Sequence, residues 1–387
     1  MIINIRLKNF FSLGDEVVLD FTAVNNSRNQ KDLPTGNLLD YNGDKFVNII
    51  GLFGGNAAGK SNIIKSVEFC RNLVLNSHLS NENSHFDFEP FKFEEDNPSE
   101  FSISFVTEGI EYEYSFILNK QKIIAESLYY YPNKRRAKIY TRENSSDYTF
   151  RKGTINRPGE VATNTGPRTL FLSRASSMNR QLAQTVYRFF LDGIKIGMPF
   201  LDLSKATRKD IELNKSILLE ALQVADSDIV DFKIVETVPG ELKLFTYHKE
   251  MPALPFDFEK EESDGTKRLF SMLLLLIKTA KSDTTIFFDE FDLKLHLRLA
   301  EFLLDIVRAS GKSQLVFTSH NPVLINRELL RDEQIVFVTK LQNGKSEFVP
   351  LFDFEGANKI KDIQKAYLQG RFDGVPYIGN AYSLFPM

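Results

Sequence analysis

GLFGGNAAGKSN, residues 51–62, is the stretch that decides the fold of this chain. It contains a complete match to the phosphate-binding pattern G-x-x-x-x-G-K-[ST], and it follows the nearly all-apolar run KFVNIIGLFG, which is typical of a buried strand. A helix is predicted from about Ser61 to Asn76. Glycines at this position let backbone N–H groups and a helix N-terminus face phosphate oxygens. The sequence therefore predicts a strand, a phosphate loop and a helix in succession.

The residue types in this loop suit a nucleoside triphosphate. Lys60 would place a positive charge at the β- and γ-phosphates of ATP, and the hydroxyl of Ser61 would bind Mg²⁺. The alternative is a glycine-rich turn without a ligand, which the complete motif and its context disfavour. The predicted ATP-binding residues are Gly54, Gly55, Asn56, Ala57, Ala58, Gly59, Lys60, Ser61 and Asn62.

Two carboxylates follow a second apolar run, TTIFFDEFD. A parallel sheet delivers such residues to a crevice at its carboxyl edge. We predict that Asp289 holds the Mg²⁺ hydration shell and that Glu290 orients or deprotonates the attacking water. An acid pair is also a common way for a strand to end, so the functional interpretation depends on the phosphate loop upstream.

A third apolar run, SQLVFTSHNPVLIN, ends at His320, which lies 30 residues after Glu290. This distance accommodates one helix, LRLAEFLLDIVRAS, and a return strand, so the two strands are predicted to be neighbours in a parallel sheet. His320 would then lie beside the carboxylates and reach a γ-phosphate. The other histidines (His78, His85, His248 and His296) show no metal-ligand spacing, and no metal beyond Mg²⁺ is predicted.

The segment EESDGTKRLF, residues 261–270, is hydrophilic and leads into the apolar SMLLLLIK. It can be a helix cap, with Ser263 or Asp264 accepting hydrogen bonds from the first amides of the helix. A serine and a glycine amide at a helix N-terminus also form an anion site. The two interpretations are compatible, and we call these residues the signature segment.

Composition limits the classes of protein to consider. A chain of 387 residues predicts one large domain with an insertion, or two domains. The formal net charge of −3 provides no global basic field for nucleic acid. The only cysteine, Cys70, excludes an internal disulfide and is predicted to be a buried apolar residue on a helix. The start MIINIRLKNF lacks the apolar core of a signal peptide, and LFSMLLLLI is too short to span a bilayer, so we expect a cytoplasmic protein with no membrane partner.

Along the chain, β-rich runs such as SEFSISFV and IEYEYSFIL predict an antiparallel meander, whereas residues 169–225 are mostly helical in pattern. Heptad repeats are missing, which argues against a coiled-coil arm. The predicted division is a discontinuous ATPase core at 1–85 and 230–350, an antiparallel lid at 86–150, a linker and helical insertion at 151–229, and a C-terminal tail at 351–387.

The order of these motifs resembles that of ABC ATPases of the SMC and RecF type, in which a signature precedes a helix that leads to the acidic strand. Ser263, Gly265 and Thr266 match the signature, whereas Asp264 replaces a residue that is usually small. The resemblance implies an α/β fold, an ABC-type P-loop ATPase head with an antiparallel β lid and a helical insertion. It further implies that Ser263, Asp264, Gly265 and Thr266 of one subunit close over ATP held by another, in a homodimer or higher oligomer, and that Asp292 takes the D-loop role.

The chain is also similar to the prokaryotic AAA15 family of ATPases found among abortive-infection and phage-defence proteins. The similarity covers nearly the whole chain, including INIRLKNFFSL, PFKF, SDGTKRLF, FFDEFD, TSHNP and the tail YLQGRFDGVPYIG. It implies an ATP- and Mg²⁺-dependent switch that controls a partner effector from the same operon, a nuclease of the Toprim or HNH kind. The chain departs from the family pattern in two ways. No Q-loop glutamine can be placed, and Leu297 stands where relatives often have proline.

A different class of function is a RecF-like DNA-binding ATPase in repair or recombination. Basic residues cluster in PNKRRAKIYTR (Lys134, Arg135, Arg136 and Lys138) and around Arg174 and Arg180, with aromatics nearby in LYYYP. Such clusters are more often a solvated hairpin tip than a groove for nucleic acid. A small-molecule kinase or GTPase is a weaker alternative, because the chain has no N-K-x-D motif.

Overall fold

The computed structural model describes residues 1–24, 36–79, 86–197, 203–225, 228–239 and 241–374. Its strands, β1 to β18 in chain order, are Ile2–Lys8, Val17–Asp20, Leu38–Tyr41, Asp44–Val47, Ile49–Phe53, Ser99–Thr107, Ile110–Leu118, Ile123–Tyr130, Ala137–Glu143, Asp147–Phe150, Ile194–Ile196, Ile229–Val238, Glu241–His248, Met251–Asp257, Thr285–Phe288, Gln314–Ser319, Ile335–Lys340 and Ser346–Pro350. Its helices, α1 to α10, are Lys60–Asn76, Pro158–Thr163, Phe171–Ser177, Gln181–Arg188, Lys205–Leu213, Lys215–Ala225, Phe258–Glu261, Asp264–Thr279, Leu297–Ser310 and Ile363–Leu368.

The core sheet has six strands in the order β11-β15-β16-β5-β17-β18. The first five are parallel, and β18 runs antiparallel to β17. Every residue of β5, β15 and β16 is buried, as expected for a parallel sheet that is covered on both faces. The predicted neighbours, the strands that lead to Glu290 and His320, are adjacent and parallel, which confirms that prediction.

The two faces of the core sheet belong to two hydrophobic cores. Ile50 and Leu52 of β5 join one core, whereas Ile49 and Phe53 join the other. This alternation follows from the period of two in a strand. The first core contains α1 and the antiparallel sheet, and Cys70 lies in it, fully buried as predicted. The second core contains α8, α9 and α10.

The antiparallel lobe is one seven-stranded sheet in the order β10-β9-β8-β7-β6-β1-β2. The predicted meander is present as β6 to β10, each paired with the next. The N-terminal strands β1 and β2 extend it, because β1 pairs with β6 over residues that are about a hundred positions apart. The lobe therefore combines the predicted lid with two strands that lie in the range 1–85 predicted as core; the division itself stays a prediction.

A buried carboxylate attaches the helical insertion to this lobe. Glu126 accepts hydrogen bonds from the hydroxyls of Tyr114 and Tyr140, at 2.9 and 2.7 Å. It also accepts from the backbone N–H groups of Phe171 and Leu172 at the start of α3, at 2.6 and 3.0 Å. Because a carboxylate buried in this way is costly to leave unpaired, these four donors fix α3 against the sheet.

The insertion is divided among three parts of the molecule. Helices α2 to α4 lie beside the lobe, and the short strand β11 forms the edge of the core sheet next to β15. Helices α5 and α6 pack instead on α8. A three-stranded sheet, β12-β13-β14, then leads through α7 to the signature segment.

The C-terminal part of the described chain returns to the core. The ring of Phe372 stacks on that of Phe337 in β17, with centroids 4.7 Å apart. The predicted tail from residue 375 onward lies outside the described residues. Among the helices that are described, none is both long and apolar enough to cross a membrane. The predicted fold class, a P-loop α/β head with an antiparallel β lobe and a helical insertion, is confirmed.

Candidate nucleotide site

The phosphate loop joins β5 to α1 in a conformation that needs glycine at two positions. Gly59 has φ of 104°, and a Cβ there would lie 2.0 Å from the Oγ of Ser346. A Cβ on Gly54 would lie 2.2 Å from the carbonyl oxygen of Val338. Side chains at either position would displace the loop from the neighbouring strands. The glycine pattern of the motif is therefore dictated by close packing as well as by access to a ligand.

The loop is supported from behind by three polar side chains. Ser346 donates to the carbonyl oxygen of Ala58 and is hydrogen bonded to Ser12, both at 2.6 Å. The amide of Asn62 donates to the Oγ of Ser12 at 2.7 Å. Ser12 and Ser346 are distant in the sequence, and they brace the loop from the antiparallel lobe and from β18.

Lys60 is the first residue of α1, and its side chain lies inside the loop. It is 4% exposed, and its Nζ donates to the carbonyl oxygens of Gly54 and Gly55 at 2.8 and 2.9 Å. Burial lowers the pKa of Lys60 to about 8, and the charges of Asp289 and Glu290 oppose that shift. The ammonium group is thus held by backbone carbonyl oxygens of the loop.

Ser61 and Asp289, the two predicted contacts for Mg²⁺, lie together. The Oγ of Ser61 donates to Oδ1 of Asp289 at 2.9 Å, although 228 positions separate them in the sequence. A hydroxyl and a carboxylate are hard oxygen ligands of the kind that Mg²⁺ prefers, so the pair fits the ion. Their role as ligands stays a prediction.

Thr318, to which sequence reasoning assigned no role, organises the acid pair. Its Oγ1 donates to Oδ1 of Asp289 at 2.6 Å and accepts from the N–H of Glu290 at 2.7 Å. Glu290 has φ of 50°, in the left-handed region that a non-glycine residue seldom adopts. The threonine at the end of β16 therefore stabilises the turn that presents the Glu290 side chain to solvent.

His320 follows the same strand and lies at the surface beside Lys60. Its Nδ1 is 3.4 Å from the Nζ of Lys60. Partial burial and the positive charge of Lys60 lower the pKa of His320, while the nearby carboxylates oppose the shift. The imidazole is therefore neutral near pH 7. The structure brings His320, Lys60, Ser61, Asp289 and Glu290 together, as the sequence predicts.

The signature segment begins α8. Ser263 is the N-cap residue, and its Oγ accepts from the N–H of Thr266 at 3.1 Å, so the capping interpretation is correct. Asp264 is exposed and pairs with Lys294 at 2.6 Å and with Lys267 at 3.9 Å. The hydrogen bond from Lys294 holds the pKa of Asp264 below its usual value. A Cβ on Gly265 would lie 2.8 Å from the carbonyl oxygen of Lys294, so α8 starts in close contact with the segment after the acid pair.

Arg268 was missed by sequence reasoning. It is 8% exposed, and its Nη2 donates to the backbone carbonyl oxygens of Asp289, at 3.1 Å, and of Glu290. A charged donor on carbonyl groups makes a strong hydrogen bond. The only hint in the sequence is its position one turn after Ser263, on the face of α8 that must be buried. Arg268 connects the signature helix to the acid pair within one chain.

Asp292 lies in the turn between the acid pair and α9. The turn is closed by backbone hydrogen bonds from Leu293 to Glu290, at 3.0 Å, and from Leu295 to Asp292, at 3.1 Å. His296 caps α9, since its Nδ1 accepts from the N–H of Arg298 at 3.3 Å. The helix thus begins at Leu297, with His296 rather than a proline at its start. The D-loop role of Asp292 stays a prediction, and the Q-loop role remains unassigned.

Two members of the basic cluster near the tip of the lobe, Lys134 and Arg136, have acidic partners. Arg136 pairs with Glu113 at 2.6 Å and lies 3.6 Å from the ring centre of Tyr129. Lys134 lies 3.7 Å from Asp44, and Lys138 donates to Thr149. Arg180, in the second cluster, pairs with Glu160. This arrangement favours the solvated hairpin over a groove for nucleic acid.

A family model described as "AAA domain, putative AbiEii toxin, Type IV TA system" matches residues 49–326, more than half of the chain. Solved structures of similar fold include an SMC head domain from Thermotoga maritima, with 14% identity, a TM-score of 0.41, and coverage of 90% of this chain and 98% of that chain.

Two further structures are an SmcHead bound to the C-winged helix domain of ScpA, with 16% identity, a TM-score of 0.44, and coverage of 93% and 99%, and an Smc head domain with an extended coiled coil bound to the C-terminal domain of ScpA derived from Pyrococcus furiosus, with 14% identity, a TM-score of 0.43, and coverage of 96% and 99%. No curated protein matches the chain.

Proposed function

The chain belongs to the AAA-domain family whose model spans residues 49–326, and on that premise we propose that it is an ATP-binding and hydrolysing switch. The observation that carries this proposal is the meeting of Lys60, Ser61, Asp289 and Glu290 at one edge of the core sheet, held by Thr318. These groups come from three separate stretches of sequence. A structural role alone would not require their polar atoms to converge.

Each side chain has a defined task in this proposal. The loop amides and Lys60 bind the phosphates of ATP, and Ser61 and Asp289 would hold Mg²⁺, which neutralises phosphate charge when bound. Glu290 orients a water molecule for in-line attack on the γ-phosphorus and accepts its proton, so that ADP and phosphate form. His320, neutral and next to Lys60, donates a hydrogen bond to a phosphate oxygen.

The signature segment supports a site shared between two copies. Ser263 and Asp264 are exposed. Among the described residues, their side chains are bonded to Thr266, and to Lys267 and Lys294, rather than to the phosphate loop. We infer that Ser263, Gly265 and Thr266 of one copy close over ATP bound by Lys60 of the other. ATP then joins a homodimer with two composite sites, and hydrolysis loosens it.

The family description places relatives in toxin–antitoxin systems, and we propose a role in antiviral defence for this chain. In the finer assignment, to the AAA15 family, the ATP-driven dimer would hold or release an effector such as a Toprim or HNH nuclease encoded nearby. Cleavage of nucleic acid by the purified chain alone with Mg²⁺ would contradict the need for a separate effector.

The proposal is tested with Glu290→Gln, which keeps the shape of the side chain and removes its basicity. We expect ATP to stay bound, hydrolysis to fall about 10²-fold or more, and a dimer to accumulate with Mg²⁺ and ATP, measured by light scattering after size exclusion. Glu143→Gln, on the exposed edge of the lobe, is the matched control.

Two outcomes separate the parts of the proposal. If Glu290→Gln binds ATP by calorimetry but remains monomeric at high protein concentration, the shared site is wrong while nucleotide binding stands. If neither the wild-type chain nor Glu290→Gln binds ATP, the switch itself is wrong.

A further inference from the structure

A groove runs between two strand edges, and one of its ends, at Ser346, adjoins the support of the phosphate loop. It lies between β2, the last strand of the antiparallel lobe, and β18, the last strand of the core sheet. The cavity measures about 590 Å³, a volume within the range of ligand sites. At one end the edges are joined, because the N–H of Ser346 donates to the carbonyl oxygen of Ser12 at 2.8 Å.

The backbone groups of β2 that face the groove follow from its pairing. The N–H of Phe21 donates to the carbonyl oxygen of Ile3 at 2.9 Å, and Ile5 pairs with Leu19. In an antiparallel ladder, alternate residues direct both backbone groups to the partner strand. Val18 and Asp20 therefore direct their N–H and C=O groups away from β1, towards the groove.

The same alternation applies to β18. The N–H of Leu341 donates to the carbonyl oxygen of Lys345 at 2.8 Å, and Thr339 pairs with Glu347. Lys345 and Glu347 therefore direct their backbone groups towards β17. Phe348 alternates with them along the strand, so its N–H and C=O groups point away from β17. Two strand edges with outward donors and acceptors thus border one cavity, which is the arrangement that an added strand completes.

The side chains around the groove are acidic at the rims and apolar between them. Asp15 and Glu333 are paired with Lys345 and Arg331. The exposed acids Asp20, Glu347 and Asp353 take part in no ion pair within the described residues. Two apolar side chains open to solvent here are Val18, which is 38% exposed, and Phe352, which is 41% exposed.

We propose that this groove binds an extended segment of a separate protein in which basic and apolar side chains alternate. Its backbone pairs with the outward groups of Val18 and Phe348. Because Val18 and Asp20 lie on the same face of β2, the basic side chains of the segment lie on that face, where their charges face Asp20 and Glu347 and their alkyl stems cover Val18, and its apolar side chains lie on the opposite face. A second copy of this chain would bring the same acidic edges and be repelled. Neither Lys60 nor Glu290 lines the groove, so the proposal does not depend on ATP hydrolysis.

The probe is a fluorescein-labelled peptide of sequence KVKVKVK, added to the full chain and followed by fluorescence anisotropy. We expect saturable binding, no comparable binding of EVEVEVE, and loss of binding when alternate backbone amides of KVKVKVK are N-methylated. The first comparison tests charge and the second tests strand pairing.

The matched variants reverse charge inside and outside the groove. Asp20→Lys combined with Glu347→Lys should weaken KVKVKVK binding about tenfold or more, whereas Glu143→Lys combined with Asp147→Lys, on the far edge of the lobe, should leave it unchanged. Thermal unfolding confirms that both proteins fold.

Three results would overturn the proposal. Equal binding by both double variants would place the peptide elsewhere, and full binding by the N-methylated peptide would exclude strand addition. Binding that weakens as the chain is concentrated would show that a second copy occupies the groove.

Discussion

The phosphate loop and the signature segment each lead into a helix, yet their surroundings differ. At the loop, Lys60 is buried and Ser61 lies 2.9 Å from Asp289. At the signature, Ser263 is exposed and Asp264 is drawn aside by Lys294. The first region is completed within one chain, and the second presents its groups outward. Under the proposed function, one chain would bind ATP alone and a second copy would close over it.

Substitution of Lys60 should have the largest effect, because it acts on the region that is complete within the chain. Lys60→Ala removes the buried ammonium, and we expect ATP affinity to fall more than about 100-fold, or about 2.8 kcal/mol. Isothermal titration calorimetry measures this. Lys65→Ala, exposed on the same helix, is the control. Unchanged affinity in Lys60→Ala would remove the loop as the nucleotide site.

Gly265→Ala tests the outward region. Since the added Cβ would lie 2.8 Å from the carbonyl oxygen of Lys294, the start of α8 must shift. We expect ATP binding by the monomer to persist and steady-state hydrolysis to fall about 10- to 100-fold through misplacement of the signature. Gly159→Ala, where a Cβ has open space, is the control. Equal loss of ATP binding would contradict the division between the two regions.

Arg268 connects the helix of the signature segment to the acid pair, so its removal tests whether the two regions are linked within one chain. Arg268→Met keeps much of the buried volume but loses the hydrogen bonds to Asp289 and Glu290. We expect the free energy of unfolding to fall by about 2 kcal/mol, measured by urea titration. Arg298→Met, exposed at the start of α9, should change it little. Wild-type stability in Arg268→Met would mean that the connection is not structural.

The smallest expected effect is on pH dependence. Below about pH 8 the side chain of Lys60 is charged in the free protein. Phosphate favours the charged form, so above pH 8 ATP binding must take up a proton and weakens as the pH rises. We expect affinity to fall by about tenfold at most between pH 8 and pH 9. Lys60→Met should show a flat profile, and a flat profile in the wild type would contradict the role of burial.

Local sequence signals predicted well which polar residues lie together and predicted the long-range strand pairing poorly. The P-loop motif and apolar strands identified Lys60, Asp289 and His320, because each lies at the end of a strand with a strong apolar run. Thr318 and Arg268 could not be assigned, because only the fold brings them near their partners. Arg268 donates to backbone carbonyl groups of Asp289 and Glu290, and Thr318 contacts the carboxylate of Asp289 and the N–H of Glu290. The sequence alone does not show whether a polar residue next to a motif makes structural hydrogen bonds or is exposed to solvent.

The same limit applies to the lobe. Strands β1 and β2 have the alternating pattern of half-buried strands, but the pattern does not specify a partner. The pairing of β1 with β6 depends on residues about a hundred positions away. The short strand β11 has too few residues to give any pattern, so a sequence interpretation assigned it to a helical insertion.

The contact between Ser12 and Ser346 has a consequence for the order of assembly during synthesis. These residues are separated by 334 positions, which ribosomes cover in roughly 17 to 67 s. Until Ser346 emerges, the loop at Ala58 lacks one of its supports, even though the loop itself was made long before. We therefore expect nascent chains that stop before β18 to bind ATP poorly. Nucleotide binding would then indicate that Ser12 and Ser346 have come into contact.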